Sequence, residues 1–145
     1  MNPTMEYSPQ GILLTKGFES CKLDAYLDSA GIATLGWGHT AGVQLGDTCT
    51  QEQADEWLQA DVQSAVYAVN HYVAINLSQP EFDSLTDFVF NLGAGNFANS
   101  TLLRKLNCGD LIGASLEFER WDHAGGVELA GLLRRRKAEE AEFKS

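Results

Sequence analysis

Between Gln51 and Val73 the chain contains neither glycine nor proline, and this stretch restricts the fold more than any other. Apolar residues recur in it every three or four positions, as they do on one face of a helix. The segment Thr50-Gln51-Glu52-Gln53 at its start has the form of a capping box, a common helix start. The pattern predicts one stiff linking helix over approximately residues 51–73.

The second half of the chain is predicted to be helical. Ser78-Gln79-Pro80-Glu81 is another capping box, and the segment behind it is apolar nearly all round until Gly93 stops it. That helix is expected to form the buried centre of this half. Further helices are predicted over Thr101–Leu106, Leu111–Trp121 and Gly131–Phe143, with a loop at 123–126.

The first half is predicted to contain a short helix and the one strand-like region of the chain. Ser8 followed by Pro9 marks a helix start, and that helix should end near Phe18 or Glu19. Glycines at 31, 36, 38, 42 and 46 then separate short apolar runs, as in a small β-hairpin or meander. The expected architecture is α+β and mostly helical, a single domain over 1–145 with lobes at approximately 8–50 and 74–145. A cleft between the lobes is the expected site.

Charge and cysteine content exclude several classes of function. The net charge is −10, and residues 1–100 carry all of the excess, with two basic residues against twelve acidic ones. Such a field repels phosphate backbones and anionic lipid, so neither nucleic acid nor a membrane surface is an expected partner. Three cysteines without CxxC spacing predict reduced thiols, no metal site and no cofactor. We expect a monomer without a membrane span or an export signal.

Two carboxylates, Glu19 and Asp28, lie near the end of the first predicted helix and in the predicted hairpin that follows it. Asp28 follows Glu19 after eight intervening residues, and Thr34 follows Asp28 after five more. This Glu-x8-Asp-x5-Thr pattern runs directly into Leu35-Gly36-Trp37-Gly38-His39-Thr40, and together they resemble the catalytic stretch of phage-type lysozymes, glycoside hydrolase family 24. The resemblance covers nearly the whole chain and implies a lysozyme-like two-lobe fold. It continues in order through Phe88–Gly93, Phe97–Leu103 and Gly131–Glu139.

The resemblance implies inverting hydrolysis of the β-1,4 bond between N-acetylmuramic acid and N-acetylglucosamine. That reaction needs a protonated carboxyl for the leaving oxygen and an ionised carboxylate that activates water, roughly 6.5–9.5 Å apart. By resemblance, Glu19 is the acid, Asp28 is the water-activating partner, and Thr34 holds the water through its hydroxyl. We expect Glu19 to be partly buried against aromatic walls such as Trp37 and Phe90, and Asp28 to be solvated.

Substrate contacts are also implied by the resemblance. Thr40, Phe90 and Ser100 would line the cleft and contact the glycan strand. Of the three tryptophans only Trp37 is expected to touch the sugar, because Trp57 has the spacing of a core residue and Trp121 ends a predicted helix.

Supporting roles fall to a histidine and an arginine. His39 is expected to pair with an acid and tie its lobe together rather than act as a general base. Arg134–Arg136 fit a solvated basic patch, whereas the resemblance suggests that Arg135 or Arg136 reaches toward Glu19 and orients it. Asp24 is a spare carboxylate whose spacing does not match the family pattern.

The resemblance further implies a role in host cell lysis by a phage or prophage. The chain would collect in the host cytoplasm and reach the periplasm and cell wall through a separate holin. Oxidation there would pair Cys21 with Cys49 if the two lie close.

Three other functions compete with this interpretation. A lytic transglycosylase needs the acid but no water activator, so Asp28 and Thr34 argue against it. A non-catalytic peptidoglycan-binding module of a phage tail would need none of the three residues. A metal-dependent amidase is disfavoured because His39, His71 and His123 lack ligand spacing.

Overall fold

A computed structural model describes residues 3–124 and 127–145. They form a mostly helical fold with small antiparallel sheets and divide into two compact units. Thr15–Gln63 form the hairpin unit, and Met1–Leu14 with Ser64–Ser145 form the helical unit. Helix α1, Pro9–Phe18, begins where the sequence predicts and crosses from one unit to the other after Leu14. No helix in the described part of the chain is long and apolar enough to cross a membrane.

The hairpin unit is built on two antiparallel strands, β1 (Lys22–Leu27) and β2 (Ala33–Gly36). Tyr26 lies opposite Thr34, and an irregularity separates this pair from the pairing of Lys22 with Gly36. Single bridges extend the pairing from Asp24 to Thr48 and from Leu35 to His39. The predicted hairpin is confirmed.

The linking helix is interrupted, which corrects the prediction of one stiff rod over 51–73. Helix α2 covers Gln51–Asp61, Val62 forms a turn, and α3 covers Gln63–Tyr72. The side-chain amide of Gln63 donates to the carbonyl oxygen of Gln59 at 3.1 Å. A continuous helix would use that carbonyl for the backbone N–H of residue 63, so the side chain competes with the helical ladder. The spacing of apolar residues gives no information about such a side-chain bond, so the interruption was not predicted.

The two predicted capping boxes are formed to different extents. Thr50 caps α2 by accepting from the backbone N–H of Gln53 at 3.1 Å. Ser78 and Glu81 form the complete capping box at the start of α4, Gln79–Leu92. That helix ends at Gly93, whose φ of 94° favours glycine. A side-chain oxygen at each start satisfies a backbone donor that the helix leaves unpaired.

Helix α4 is the centre of the helical unit, as predicted. Phe82, Leu85, Phe88 and Val89 are buried on it. Helix α8 (Ala130–Lys144) and α5 (Ala94–Ala98) pack against it, and α6 (Thr101–Asn107) follows α5. No sequence pattern predicted α5. Phe88 makes edge contacts with Phe97, Phe118 and Trp121 at ring-centroid distances of 5.6–6.2 Å.

Two predictions near the carboxyl end of the chain are wrong. The helix expected over Leu111–Trp121 is divided into α7, Leu111–Ser115, and a 3-10 turn at Phe118–Arg120. Strand β3 (His123–Ala124) lies in the segment predicted as loop and pairs with β4 (Val127–Glu128), which directly follows that segment, so the hairpin unit is not the only region with strands. The other two loop positions, 125 and 126, lie outside the described residues.

Candidate active site

Glu19 directly follows the last turn of α1. Its backbone N–H donates to the carbonyl of Thr15 at 3.0 Å, which continues the helical pattern by one residue. The side chain is half-buried, and a β-carbon built on Gly38 would lie 3.4 Å from Glu19 Oε2. The backbone of Gly38 therefore forms one wall beside this carboxyl group. Partial burial of Glu19 agrees with the expectation for a proton donor.

Asp28 stands at the end of β1, where the chain turns toward β2. Its Oδ1 accepts from the backbone N–H groups of Ala30 and Ile32, both at 2.9 Å. Its own N–H donates to the carbonyl of Ile32, also at 2.9 Å. Two backbone donors on one oxygen fix the orientation of this carboxyl group. Asp28 is thus held half-exposed by the turn it initiates.

Thr34 lies on β2 and is 4% exposed. Its hydroxyl donates to the carbonyl of Ile32 at 2.9 Å. The proton of the hydroxyl is therefore committed, and the lone pairs of Oγ1 are what Thr34 can offer to a water molecule.

Tyr26, which is not among the predicted site residues, connects these groups. It pairs directly with Thr34, and residues that face each other across antiparallel strands share one face. Burial of the phenol, followed by the negative charges of Glu19 and Asp28, raises the pKa of Tyr26. Lys22 Nζ lies 4.6 Å from the centre of its ring. Strand alternation could have identified Tyr26, because it lies two residues before Asp28.

Trp37 makes structural contacts within the hairpin unit. Its indole N–H donates to Asp55 Oδ1 at 2.8 Å, and Lys16 Nζ lies 5.2 Å from the ring centre. These contacts bind Trp37 to α2 and α1, and they lend no support to its predicted role as a sugar contact. No sequence signal pointed to Asp55 as its partner.

His39 contacts an acidic residue and an aromatic ring of α2. Its Nδ1 lies 2.8 Å from Asp61 Oδ2, and its ring stacks on Trp57 at a centroid distance of 4.4 Å. Both contacts attach the segment after β2 to α2. The predicted pairing of His39 with an acid is confirmed.

The other predicted substrate contacts differ in exposure. Thr40 is exposed in the hairpin unit, and Phe90 is half-buried against the core of the helical unit. Ser100 caps α6: its hydroxyl accepts from the N–H of Leu103 at 3.0 Å and donates to the carbonyl of Phe97 at 2.7 Å. Ser100 is 5% exposed, and both hydrogen bonds of its hydroxyl group stabilise the start of α6.

The basic patch expected at Arg134–Arg136 is solvated only at Arg134. Arg135 is 5% exposed and bonds both carboxylate oxygens of Asp87, at 2.8 and 2.9 Å. Arg136 is fully buried and donates to Asn91 and Glu139 at 2.8 and 2.9 Å. The approach of either arginine to Glu19 stays a prediction.

Glu139 is the fourth charged residue of this buried cluster. Burial, and then the neighbouring Asp87, raises the pKa of Glu139 well above its usual range, while Arg136 and Arg135 oppose the shift. We refer to Asp87, Arg135, Arg136 and Glu139 as the buried charge cluster.

Cys21, Cys49 and Cys108 are free thiols in the structure. Cys21 and Cys49 are both half-buried in the hairpin unit. Burial, then the nearby Cys21 and Asp24, raises the pKa of Cys49. The pairing of Cys21 with Cys49 on oxidation stays a prediction.

The hairpin unit thus brings together Glu19, Asp28 and Thr34 around Tyr26, and it also holds Trp37, His39 and Thr40. Phe90, Ser100, Arg135 and Arg136 belong to the helical unit. The residues with a proposed part in the chemistry are therefore local to one hairpin and the helix end before it.

Comparison with known proteins yields consistent matches over most of the chain. A family model described as phage lysozyme matches residues 16–139. An endolysin of Acyrthosiphon pisum secondary endosymbiont phage 1 is 42% identical over 145 residues, covering 97% of this chain and 99% of that protein.

Two solved structures share the fold over nearly their full length. The endolysin from Escherichia coli O157:H7 phage FAHEc1 has a TM-score of 0.92 and 34% identity, covering 99% of this chain and 96% of that one. The muramidase domain of SpmX from Asticaccaulis excentricus has a TM-score of 0.91 and 35% identity, covering 97% and 98% of the two chains.

Proposed function

Because this chain belongs to the phage lysozyme family, we propose that it is a muramidase that hydrolyses peptidoglycan with inversion at the anomeric carbon. Membership confirms the resemblance and the α+β, mostly helical fold class. The family supports a peptidoglycan hydrolase that acts in host lysis. The bond we assign is the β-1,4 linkage between N-acetylmuramic acid and N-acetylglucosamine. The observation that carries the proposal is the gathering of Glu19, Asp28 and Thr34 on one hairpin unit.

In this proposal Glu19 protonates the leaving glycosidic oxygen. A general acid must hold its proton until the bond breaks, and it must lie in a fixed position beside the leaving oxygen. The half-buried position of Glu19 beside the Gly38 backbone supports that role.

Asp28 and Thr34 then position the attacking water. Two backbone donors hold Asp28 Oδ1, so we assign Oδ2 to accept a proton from water. Because the Thr34 hydroxyl donates to Ile32, its oxygen can accept a hydrogen bond from the other O–H of the same water. A water that donates one hydrogen bond to Asp28 and one to Thr34 keeps a lone pair for the anomeric carbon, and only Asp28 takes a proton from it. A threonine whose hydroxyl group already donates to a backbone carbonyl is therefore suited to accept a hydrogen bond from the attacking water.

Glycan binding completes the proposal. We assign Thr40, Phe90 and Ser100 to contacts with the sugar chain and one of Arg135 and Arg136 to the orientation of Glu19, as the family resemblance implies. The biological role is lysis of a bacterial host from the periplasmic side, after release by a separate holin.

The test is lysis of purified Gram-negative peptidoglycan, with the soluble products resolved by mass. Glu19→Gln and Asp28→Asn should each reduce the rate by at least about 10³-fold, since each removes a group required by the reaction. Asp24→Asn is the matched control, because Asp24 is an exposed carboxylate of β1 outside the proposed site. It should keep the rate of the native chain.

The products separate the proposal from its competitors. Hydrated muropeptides with reducing ends support a muramidase. Anhydro products that persist in Asp28→Asn would identify a lytic transglycosylase, and binding without release of products would identify a non-catalytic wall-binding module.

A further inference from the structure

One oxygen of Asp55 collects three donors from different parts of the hairpin unit. Asp55 Oδ1 accepts from Trp37 Nε1 at 2.8 Å and from Gln51 Nε2 at 3.1 Å, and Lys16 Nζ lies 3.2 Å away. The bond from Trp37, more than any other contact, lowers the pKa of Asp55 and keeps it ionised. Asp55 is on α2, Trp37 follows β2, and Lys16 is in α1, so this single carboxylate joins three elements.

The tight turn that contains Trp37 is fixed on α2 at several points. Reciprocal backbone bonds of 2.8 and 2.9 Å between Leu35 and His39 close the turn. Gly36 packs so closely on Ala54 that an added β-carbon would lie 3.0 Å from the Ala54 Cβ. His39 bonds Asp61. Trp37 is the side chain through which Asp55 holds the middle of this turn.

The next residue in the turn is Gly38, the wall of the Glu19 carboxyl group. Gly38 has a φ of 88°, and a β-carbon there would be 3.4 Å from Glu19 Oε2. Lys16 precedes Glu19 by three residues, which is nearly one helical turn. Asp55 therefore holds the residue beside Gly38 on one side of Glu19 and the preceding turn of α1 on the other.

We propose that Asp55 is a positioning residue that fixes Glu19 by holding the α1 end and the Gly36–His39 turn against α2. The inference rests on the proposed role of Glu19 as the acid. Asp55 itself does not touch the reacting atoms in this scheme; it sets where the acid carboxyl sits relative to the glycosidic oxygen. A displacement of about 1 Å at a catalytic group can reduce a rate about 10²-fold.

Four variants test this inference on soluble glycan strands. Asp55→Ala should lower kcat by about 10–100-fold and leave KM within about twofold, because binding surfaces remain while the acid loses its position. Asp55→Asn should restore kcat to within about threefold, since the amide oxygen still accepts from Trp37. Trp37→Phe, which removes the indole donor, should fall between them. Glu56→Gln removes an exposed charge from the adjacent position of α2 and should match the native chain.

A second readout does not depend on catalysis. In the native chain, the NMR shift of the Gly38 amide should follow the titration of Glu19, and Glu19→Gln should abolish that response. Asp55→Ala should weaken it at least about twofold, and Asp55→Asn should preserve it, because dipolar and Coulombic effects of the carboxylate weaken with distance.

The outcomes distinguish the two proposals. If Glu19→Gln abolishes hydrolysis while Asp55→Ala and Trp37→Phe keep the native kcat and the native Gly38 response, the positioning role of Asp55 is wrong and the proposed function stands. If Glu19→Gln keeps full activity, the proposed function is wrong, and the Gly38 response alone decides whether Asp55 fixes Glu19. Should Asp55→Ala fail to fold, Trp37→Phe and Asp55→Asn provide the same comparison.

Discussion

The hairpin unit and the helical unit hold their charged groups in opposite ways. In the hairpin unit, Glu19, Asp28 and Asp55 are half-exposed, and Asp28 and Asp55 are fixed by backbone N–H groups or a few side-chain donors. In the helical unit, the buried charge cluster is enclosed by packed helices, and its members bond one another. Water and substrate can reach a half-exposed carboxylate, so its position depends on hydrogen bonds rather than on packing. Substitutions should therefore affect stability most in the helical unit and activity most in the hairpin unit.

The largest effect on stability is expected at Phe88. Its ring is fully buried and contacts three other aromatic rings, so Phe88→Ala should lower the free energy of unfolding by about 3–5 kcal/mol. Urea unfolding measures it. Ile112→Ala, at a residue 79% exposed in the same unit, should change the value by about 0.5 kcal/mol or less. A loss below about 1 kcal/mol for Phe88→Ala would show that this core is not the source of stability.

A similar loss is expected when the buried charge cluster is broken on one side. At a pH above the folded pKa of Glu139, where its carboxyl group is ionised, Arg136→Met leaves that charge buried beside one fewer cation and should cost about 3–5 kcal/mol. The double variant Arg136→Met with Glu139→Leu should recover most of that loss, because no uncompensated charge remains. Additive losses in the double-mutant cycle would contradict the idea that the two residues act as a pair.

The buried charge cluster should also make the free energy of unfolding depend on pH, which is a smaller effect. The pKa of Glu139 is raised in the folded chain, so the folded chain holds a proton that the unfolded chain releases. The contribution of this group is therefore fully present below the unfolded pKa, about 4.3, and is lost as pH rises through the folded pKa. Glu139→Gln removes this loss, so its stability relative to the native chain should improve between pH 5 and pH 8. A difference between the two chains that stays flat over this pH range in urea unfolding would show that folding does not raise the pKa of Glu139.

The smallest stability effect is expected in the hairpin unit. Asp61→Asn weakens a partly exposed contact with His39 and should lower the free energy of unfolding by about 1 kcal/mol. Glu52→Gln, an exposed position of α2, is the control and should change it by less than about 0.5 kcal/mol. A loss as large as that of Phe88→Ala would remove the contrast between the two units.

Local signals predicted most of the fold. Ser8 with Pro9, Ser78 with Glu81, and Gly93 each marked a helix boundary, because caps and positive φ angles depend on nearby residues. The interruption at Val62 depends on where the Gln63 side chain bonds, and periodicity carries no such information. The short strands β3 and β4 were missed because two-residue strands leave no alternation to detect.

The residues of the candidate site were predictable only where their spacing in the sequence matches a known family pattern. Glu19, Asp28 and Thr34 are spaced as in a known family, and the structure places them in one unit. The contact of Asp55 could not be predicted from the sequence, because its hydrogen bond with Trp37 spans eighteen positions and depends on how α2 packs against the hairpin. The burial of Arg135 and Arg136 likewise depends on partners on α4 that are distant in sequence.

The most direct test of the central claim, inverting hydrolysis by Glu19 and Asp28, is the anomeric configuration of the first product. Proton NMR in the first minutes, before mutarotation, should show the α-anomer at the new reducing end when β-1,4-linked glycan strands are cleaved. The β-anomer would instead require a retaining reaction through a covalent intermediate, and it would contradict the assignment of Asp28 and Thr34 to a water molecule.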